Sequence, residues 1–494
     1  MKVSKRRKKS CVLKYQKGHV AVYSLAMLII MILAVGYIFN AGQVANEKIR
    51  LQNTVDAVAY SVAAVEAKDL NFKAYTNRAM VANQVAIAQA VSLVSWARFT
   101  KRYMDNVSKA VSWIPYAGAI FAAVGSGIKS VMNALEAALS MITDMLNIIE
   151  GALSSSQKVF HYGTLALIDD TYRNVTKMND KDVDVSLGFK DAVFLKSIHE
   201  GHLKFTRQYR PDKVNRKRSS FKTFKMHKER MDEFREITLN SRDGFSTNRS
   251  YRYWGTIWLP RPGGYGSKFK VDKAGGTELL GPKHSGGPHY YTWAAMDTLS
   301  VHRGIGKWKR SGFRFKFKFD FKEFFPVGWG AAQTGKHIKF VRFRGNHFGS
   351  TWGKNRRASS LAFGEFGGAR KVGTFNGLRP FYDIRQEGLL TSAPGVTLLL
   401  AKPHQKDKIH TLKHTSVGER SQRLNLEEKG GMLNDRLASI GRAAPYFSRP
   451  DDVAVFRRKD RFREYGNLYN PFWQPRLEPV QDREKILHLA ATLL

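Results

Sequence analysis

The chain has 494 residues, with 81 Lys and Arg against 41 Asp and Glu, so its formal net charge is +40. That length exceeds what one core usually serves, and 43% hydrophobic with 12% aromatic residues is enough to exclude wholesale disorder. A single cysteine excludes a disulfide scaffold and a Cys-based zinc site, and the 41 Gly and 15 Pro follow no collagen-like period.

Residues 1–17 form a basic tail with eight Lys or Arg, among them Lys5, Arg6, Arg7, Lys8 and Lys9, and no acid. From Gly18 to Asn46 there is no formal charge, and Val20 to Phe39 is almost wholly apolar. Twenty helical residues span roughly 30 Å, the hydrocarbon thickness of a bilayer. Val20, Leu28, Ile29, Ile30, Ile32, Leu33 and Phe39 are the candidate anchor side chains. The basic flank is a topology signal that keeps the N-terminus cytoplasmic and places the following chain outside. A cleaved secretory signal fits less well, because the apolar run is long and FNAGQVANEK offers a poor small-x-small cleavage site. Cys11 precedes the run and reads as an isolated cytoplasmic thiol. Taking the eight tail charges away still leaves +32, so the anchor explains orientation and not the basicity.

Beyond the anchor, Leu51, Val55, Val58, Val62 and Val65 alternate steps of four and three, a heptad-like packing stripe on one helix face. Asn77 to Phe99 is Ala-rich and again helical, and Pro115 and Gly118 punctuate the chain before a further helical run. The uncharged stretch Ala110–Ile128 is apolar enough for a second span, but lacks the charge asymmetry of a stop-transfer segment and reads as a packed or surface-lying helix.

Near Asn179 the pattern changes to short alternating runs. FRFKFKFDF sets Phe313, Phe315, Phe317, Phe319 and Phe321 against Arg314, Lys316, Lys318 and Asp320, which predicts a strand with one buried face. RYWGTIWL, KFVRF, VTLLL and VAVF read as further strands, with helical runs around Lys225 and near the C-terminus. Gly201–Lys270 carries 18 basic and 6 acidic residues and reads as an anion-binding surface or a loosely ordered insertion.

Catalytic motifs are not found. GAAQTGKH has His337 where a phosphate-binding loop needs a hydroxyl, and a strand pattern follows it, so it reads as a Gly-rich turn. In HEGHL the second His, His202, comes three positions after His199 instead of four, which reads as a surface pair. No metal and no other cofactor is assigned, and the chain is read as non-enzymatic.

The basic tail, Gly18, the apolar run and LQNTVDAVAYSVAAVEA from Leu51 resemble the TadG-like N-terminal region of Tad (Flp) pilus-assembly proteins. YTNRAMVANQVAIAQAVSLVSW, YFSRP and NLYNPFWQPRL are similar to a subgroup without a recognisable von Willebrand A-type module. DVSLG departs from that module's metal motif at Gly188, and Tyr23 stands where processed pilins carry Glu five residues after the cleavage Gly. The resemblance implies a single-pass inner-membrane protein of pilus biogenesis, an assembly factor or minor pilus-associated subunit. Its expected partners are the lipid bilayer and other single-span pilin-like or assembly subunits, with the stripe extending that contact outside the membrane.

The expected fold is α+β, a transmembrane helix continuing into a helical stalk or hairpin and then a strand-rich irregular domain. Its divisions are a tail at 1–17, the span at 18–42, the stalk at 43–178, a basic extracytoplasmic domain at 179–430 and a C-terminal segment packing on it at 431–494. The alternative is a membrane-tethered binder of an anionic polymer, extracytoplasmic DNA or envelope polysaccharide. With its bulk outside the membrane, nucleic acid is not the expected partner.

Overall fold

The computed structural model describes residues 16–114, 116–183, 189–214, 219–252, 257–261, 264–282, 291–311, 314–335, 348–366, 371–385, 395–403, 436–450, 457–458, 460, 462 and 464–482. The topology signal at Lys5–Lys9, the DVSLG segment, and the KFVRF and VAVF runs lie outside the described residues.

From Gln43 to Ser112 the sequence has neither Gly nor Pro, and α1 (Gln16–Val111) runs unbroken for 96 residues, about 144 Å of helix. A turn carrying Tyr116 at φ 64° reverses the chain into α2 (Ala117–Asn179), of 63 residues. The two helices are antiparallel, and their contacts step regularly down the hairpin. Lys129 meets Asp105, Arg98 meets Glu136, Gln84 meets Glu150, and Phe72 stacks on Phe160 at 4.4 Å. α2 ends at Asn179, where the sequence pattern changes.

Next come α3 (Phe189–Phe205), β1 (Thr206–Tyr209), α4 (Phe221–Asn240) and α5 (Gly244–Thr247). Then follow β2 (Tyr251–Arg252), β3 (Ile257–Arg261), β4 (Gly264–Leu280), β5 (Thr292–Ser311) and β6 (Arg314–Thr334). The chain continues through α6 (Thr351–Lys354), α7 (Arg356–Phe363), β7 (Phe381–Ile384), β8 (Val396–Pro403), β9 (Arg436–Phe447) and β10 (Trp473–Leu477). Among the described residues all strand pairs are antiparallel, in three sheets: β2-β4-β5-β6 with β3 on β4, β10-β9-β8, and β1-β7.

Each sheet docks on a different length of α1. β8 and β9 lie on its first exposed-to-buried transition, where Gln52 donates to the Ile440 carbonyl and Lys402 pairs with Glu47 at 2.8 Å. β10 follows at Asn71, which exchanges two hydrogen bonds with the Trp473 backbone. β7 receives Asn77, and the five-stranded sheet covers the Ser92–Asn106 stretch. Two glycines permit the closest approaches. A Cβ at Gly441 of β9 would stand 2.7 Å from Asp56 Oδ1, and one at Gly330 of β6 would stand 2.2 Å from the Phe99 backbone nitrogen.

The packing stripe is buried inside this chain. Leu51, Val55, Val58 and Val62 are fully buried and Val65 partly so, against Ile168 and Tyr172 of α2, Ile198 of α3, and Val396, Leu398, Leu400 and Ala443 of the three-stranded sheet. The face expected to meet neighbouring subunits is thus covered by the protein's own sheet. Each such side chain contributes about 1.5–3 kcal/mol on burial.

The Phe face of β6 is also packed differently from a core strand. Phe317, Phe319 and Phe321 are only half-buried. Phe317 and Phe321 lie over Gly306 and Gly304 of β5, where a Cβ would clash with the rings. Lys268 and Lys270 of β4 cover Phe319 and Phe321 at 4.4 and 4.8 Å. Phe313 lies outside the described residues. GAAQTGKH, as far as Gly335, is the end of β6 and a turn at φ 103°. The basic tract is largely ordered as α4, α5 and short strands, and its Arg249 is interior.

Gly330→Ala is expected to lower the thermal midpoint of the detergent-solubilised protein sharply, by about 1–3 kcal/mol of stability or more, because the helix backbone cannot yield. Gly163→Ala, on an open position of α2, should instead be neutral or stabilising. Equal midpoints for the two variants would show that β6 does not press on α1.

Candidate functional site

Two features of α1 bear on function: an apolar end that nothing covers and a buried polar seam further along. The anchor candidates Val20, Leu28, Ile29, Ile30, Ile32, Leu33 and Phe39 are all exposed, on every side of the helix. No element of the chain packs on this stretch among the described residues, which is what a hydrocarbon solvent requires of a spanning helix.

Further along, α1 buries polar side chains at steps of three, four and their sums: Glu66, Asp69, Lys73, Asn77, Gln84, Ser92, Ser95 and Arg98. Each group on this seam finds a partner on another element. Lys73 Nζ is 2.5 Å from Asp69 Oδ2, 2.8 Å from His161 Nδ1 of α2 and 3.3 Å from Thr206 Oγ1 of β1. His202 of α3 places Nε2 2.9 Å from Asp69 Oδ2 and Nδ1 3.7 Å from Glu66 Oε1. His202 is therefore an interior residue, not half of a surface pair, because α3 turns that face onto α1; His199 pairs with Asp169 at the partly exposed rim.

Asp69, His161 and His202 bring three ligand-type atoms within 4.8 Å of one another, a set that divalent metals accept. The Lys73 ammonium stands among them, however, and two cations cannot share that space. The chain supplies its own cation here. Burial alone would raise the Asp69 carboxyl, but the Lys73 charge and the hydrogen bond from His202 hold it well below the usual carboxylate range. Burial, reinforced by the Asp69 charge, pushes Glu66 well up. Burial lowers both Lys73 and His161.

A second centre lies against the five-stranded sheet. Arg249 grips both oxygens of Asp297 at 2.9 Å, Lys273 Nζ reaches Oδ1 at 2.6 Å, and Ser95 of α1 donates to Oδ2 at 2.7 Å. Burial would raise the Asp297 carboxyl, but the two cations bring it down to about 2. Between the two centres, Gln84 donates to both oxygens of Glu150 at 2.6 and 2.7 Å and accepts from Trp293 Nε1 at 2.7 Å. Burial raises Glu150 to about 8 against its amide partner and the Arg379 charge.

These centres join α1 to α2, α3 and the sheets. A cleft of about 440 Å³ near the far end of the hairpin is lined by Arg98, Lys101, Arg102, Asp105, Lys129, Asn133, Glu136 and Glu365, whose charges are paired with one another. The seam was not among the residues singled out by sequence. Its signal was there, as polar residues recurring at helical spacing within an Ala-rich helix.

Lys73→Met should cost about 3–5 kcal/mol, because Asp69 is left buried without its cation. The Asp69→Asn/Lys73→Met double variant should recover most of that loss in thermal unfolding; equal losses would mean that the pair is not coupled. Glu150 has a separate pH signature. Its folded pKa of about 8 lies above the ordinary 4.5, so its contribution is full below about 4.5 and is lost as pH rises through about 8. Glu150→Gln keeps the Gln84 contact and should lose less stability than the parent between about pH 5 and about pH 9. Parallel curves for parent and variant would refute the buried acid.

Residues 18–65 match a family model described as putative Flp pilus-assembly TadE/G-like. No curated protein and no solved structure matches the chain. The matched stretch takes in the uncovered apolar run and the whole of the buried stripe, the two parts of α1 that differ most in environment. The chain thus carries, at residues 18–65, the Tad domain of the TadE/G-like Flp pilus-assembly family.

Proposed function

We propose that this protein is a non-enzymatic component of Tad/Flp-type pilus biogenesis, an assembly factor or minor pilus-associated subunit held in the inner membrane by residues 20–39. The observation that carries this reading is the family match falling on a helix whose apolar end is bare on all sides. The N-terminus is cytoplasmic, and the sheets and stalk lie on the other side. Since the stripe from Leu51 to Val65 is occupied by the protein's own sheet, lateral contact with other single-span subunits falls to the bare stretch before Leu51. In lipid that contact comes from van der Waals packing and not from water exclusion.

Photo-crosslinking residues at Ile30 and Ile38, in cells assembling Tad-type pili, should capture other single-span pilus subunits, while one at the buried Val58 should capture none. Loss of the gene should lower piliation. Capture from Val58 alone, or full piliation without the protein, would overturn the proposal. Reporter fusions after Arg50 and at Leu494 should both be active outside the cytoplasm; an inactive C-terminal fusion would overturn the single-pass topology.

A further inference from the structure

The far end of the α1–α2 hairpin is as apolar as its surroundings are charged. From Ala110 to Ile128 no residue carries a charge, in a protein of net charge +40. Trp113 is 79% and Tyr116 88% exposed at the turn, followed by exposed Ile120, Phe121 and Val124 on α2. Every residue from Ala119 to Val124 is exposed, so more than a full helical turn is bare apart from the side where Ser108 of α1 donates to the Phe121 carbonyl. A second helix or another copy of the chain would cover one face of such a tip and leave the rest wet. A fluid apolar phase covers all of it. Trp and Tyr prefer the headgroup boundary of a bilayer, where an apolar ring and a polar edge are both satisfied. Just behind the tip, Lys101, Arg102 and Lys129 pair with Glu136, Glu365 and Asp105, and Lys109 adds a small basic excess on the side of anionic headgroups.

We propose that the hairpin tip is a second lipid-contacting site, seating Trp113, Tyr116 and Ile120 in the interfacial layer of an anionic bilayer. The continuous helix from Phe39 to Val111 measures about 108 Å along its axis. The tip therefore reaches a bilayer other than the one spanned by the anchor. Only this last step rests on the anchor reading; the lipid contact itself does not.

The chain's one cysteine allows a direct test. Full-length protein carrying Cys11→Ser and Ser112→Cys, labelled at the new thiol with the environment-sensitive fluorophore NBD, is placed in lipid nanodiscs that occupy the anchor. Adding phosphatidylglycerol/phosphatidylcholine vesicles should raise NBD emission several-fold and shift it to the blue, with a much smaller response to phosphatidylcholine alone. Trp113→Ser, Tyr116→Ser and Ile120→Ser together should weaken vesicle partitioning by about tenfold or more, since interfacial binding scales with buried apolar area. Far-UV circular dichroism of this variant should match the parent, because all three side chains are solvent-exposed. Unchanged emission with vesicles would overturn the proposal. So would a rise that follows protein concentration without vesicles, which would identify a second copy as the occupant. A full response in nanodiscs before vesicles are added would overturn the two-bilayer geometry. Protein that binds vesicles through its tip but fails to enter nanodiscs would instead refute the anchor and leave the tip site standing.

Discussion

A helix of 96 residues can remain single only if something pays for the polar groups it buries, and in this protein that requirement organises everything else. Ala-rich composition and freedom from Gly and Pro make α1 locally helical, but propensity adds only fractions of a kcal/mol per residue. Its persistence comes from tertiary partners. Beside the apolar stripe, α1 turns inward a carboxylate, an ammonium, amides, hydroxyls and a guanidinium, none of which could be left unpaired in the interior. Each draws in one particular segment from far along the chain. Asp69 gathers α2 and α3 through His161 and His202, Asn77 takes the Tyr382 carbonyl of β7, Ser95 reaches Asp297 of β5, and Arg98 the Ala331 carbonyl of β6. Among the described residues the three sheets are related through the helix they sit on.

Buried ion pairs of this kind are weak contributors to net stability, because desolvation offsets most of the attraction, and an apolar replacement of similar shape is often tolerated. Their effect is on register. The apolar stripe would accept a one-turn slip of α2 with modest loss, since Leu, Val and Ala interchange readily. A slip of the same size would strand Asp69 and Lys73 without His161, and Gln84 without Glu150. The ladder from Phe72–Phe160 to Asp105–Lys129 is therefore set by its polar rungs.

Local pattern and long-range partner separate clearly in what the sequence revealed. The stripe from Leu51 to Val65 was legible as a packing face, because period and apolarity are local properties. What packs on it was not, since Leu398 and Ala443 lie more than 300 residues away. Asp69 and Lys73, four apart, have the spacing of an ordinary solvent-exposed helical ion pair, and only burial distinguishes the two. Alternation in FRFKFKFDF gave the strand but not its surroundings. Whether the Phe side becomes a core depends on a covering layer, and glycines of β5 with lysines of β4 occupy that place. α3 escaped notice because its charged, His-rich sequence looks like a surface until α1 is set against it.

The same seam changes what the +40 charge means. Excess base in a sequence invites an external anion as its explanation, yet Lys73, Arg98, Arg249 and Lys273 are interior, each held by an acid of the same chain. Asp297 alone takes two of them, and Lys268 and Lys270 lie over phenylalanine rings instead of facing outward alone. Part of the basicity is thus structural, spent on joining elements to α1. Residues 20–39 and the hairpin tip, both largely exposed, contain no charge at all. A third uncharged stretch of the spine, residues 79–97, is largely buried under the protein's other elements, so the exposed uncharged lengths fall at the two ends, which is the distribution expected of a strut whose ends meet apolar phases and whose length does not.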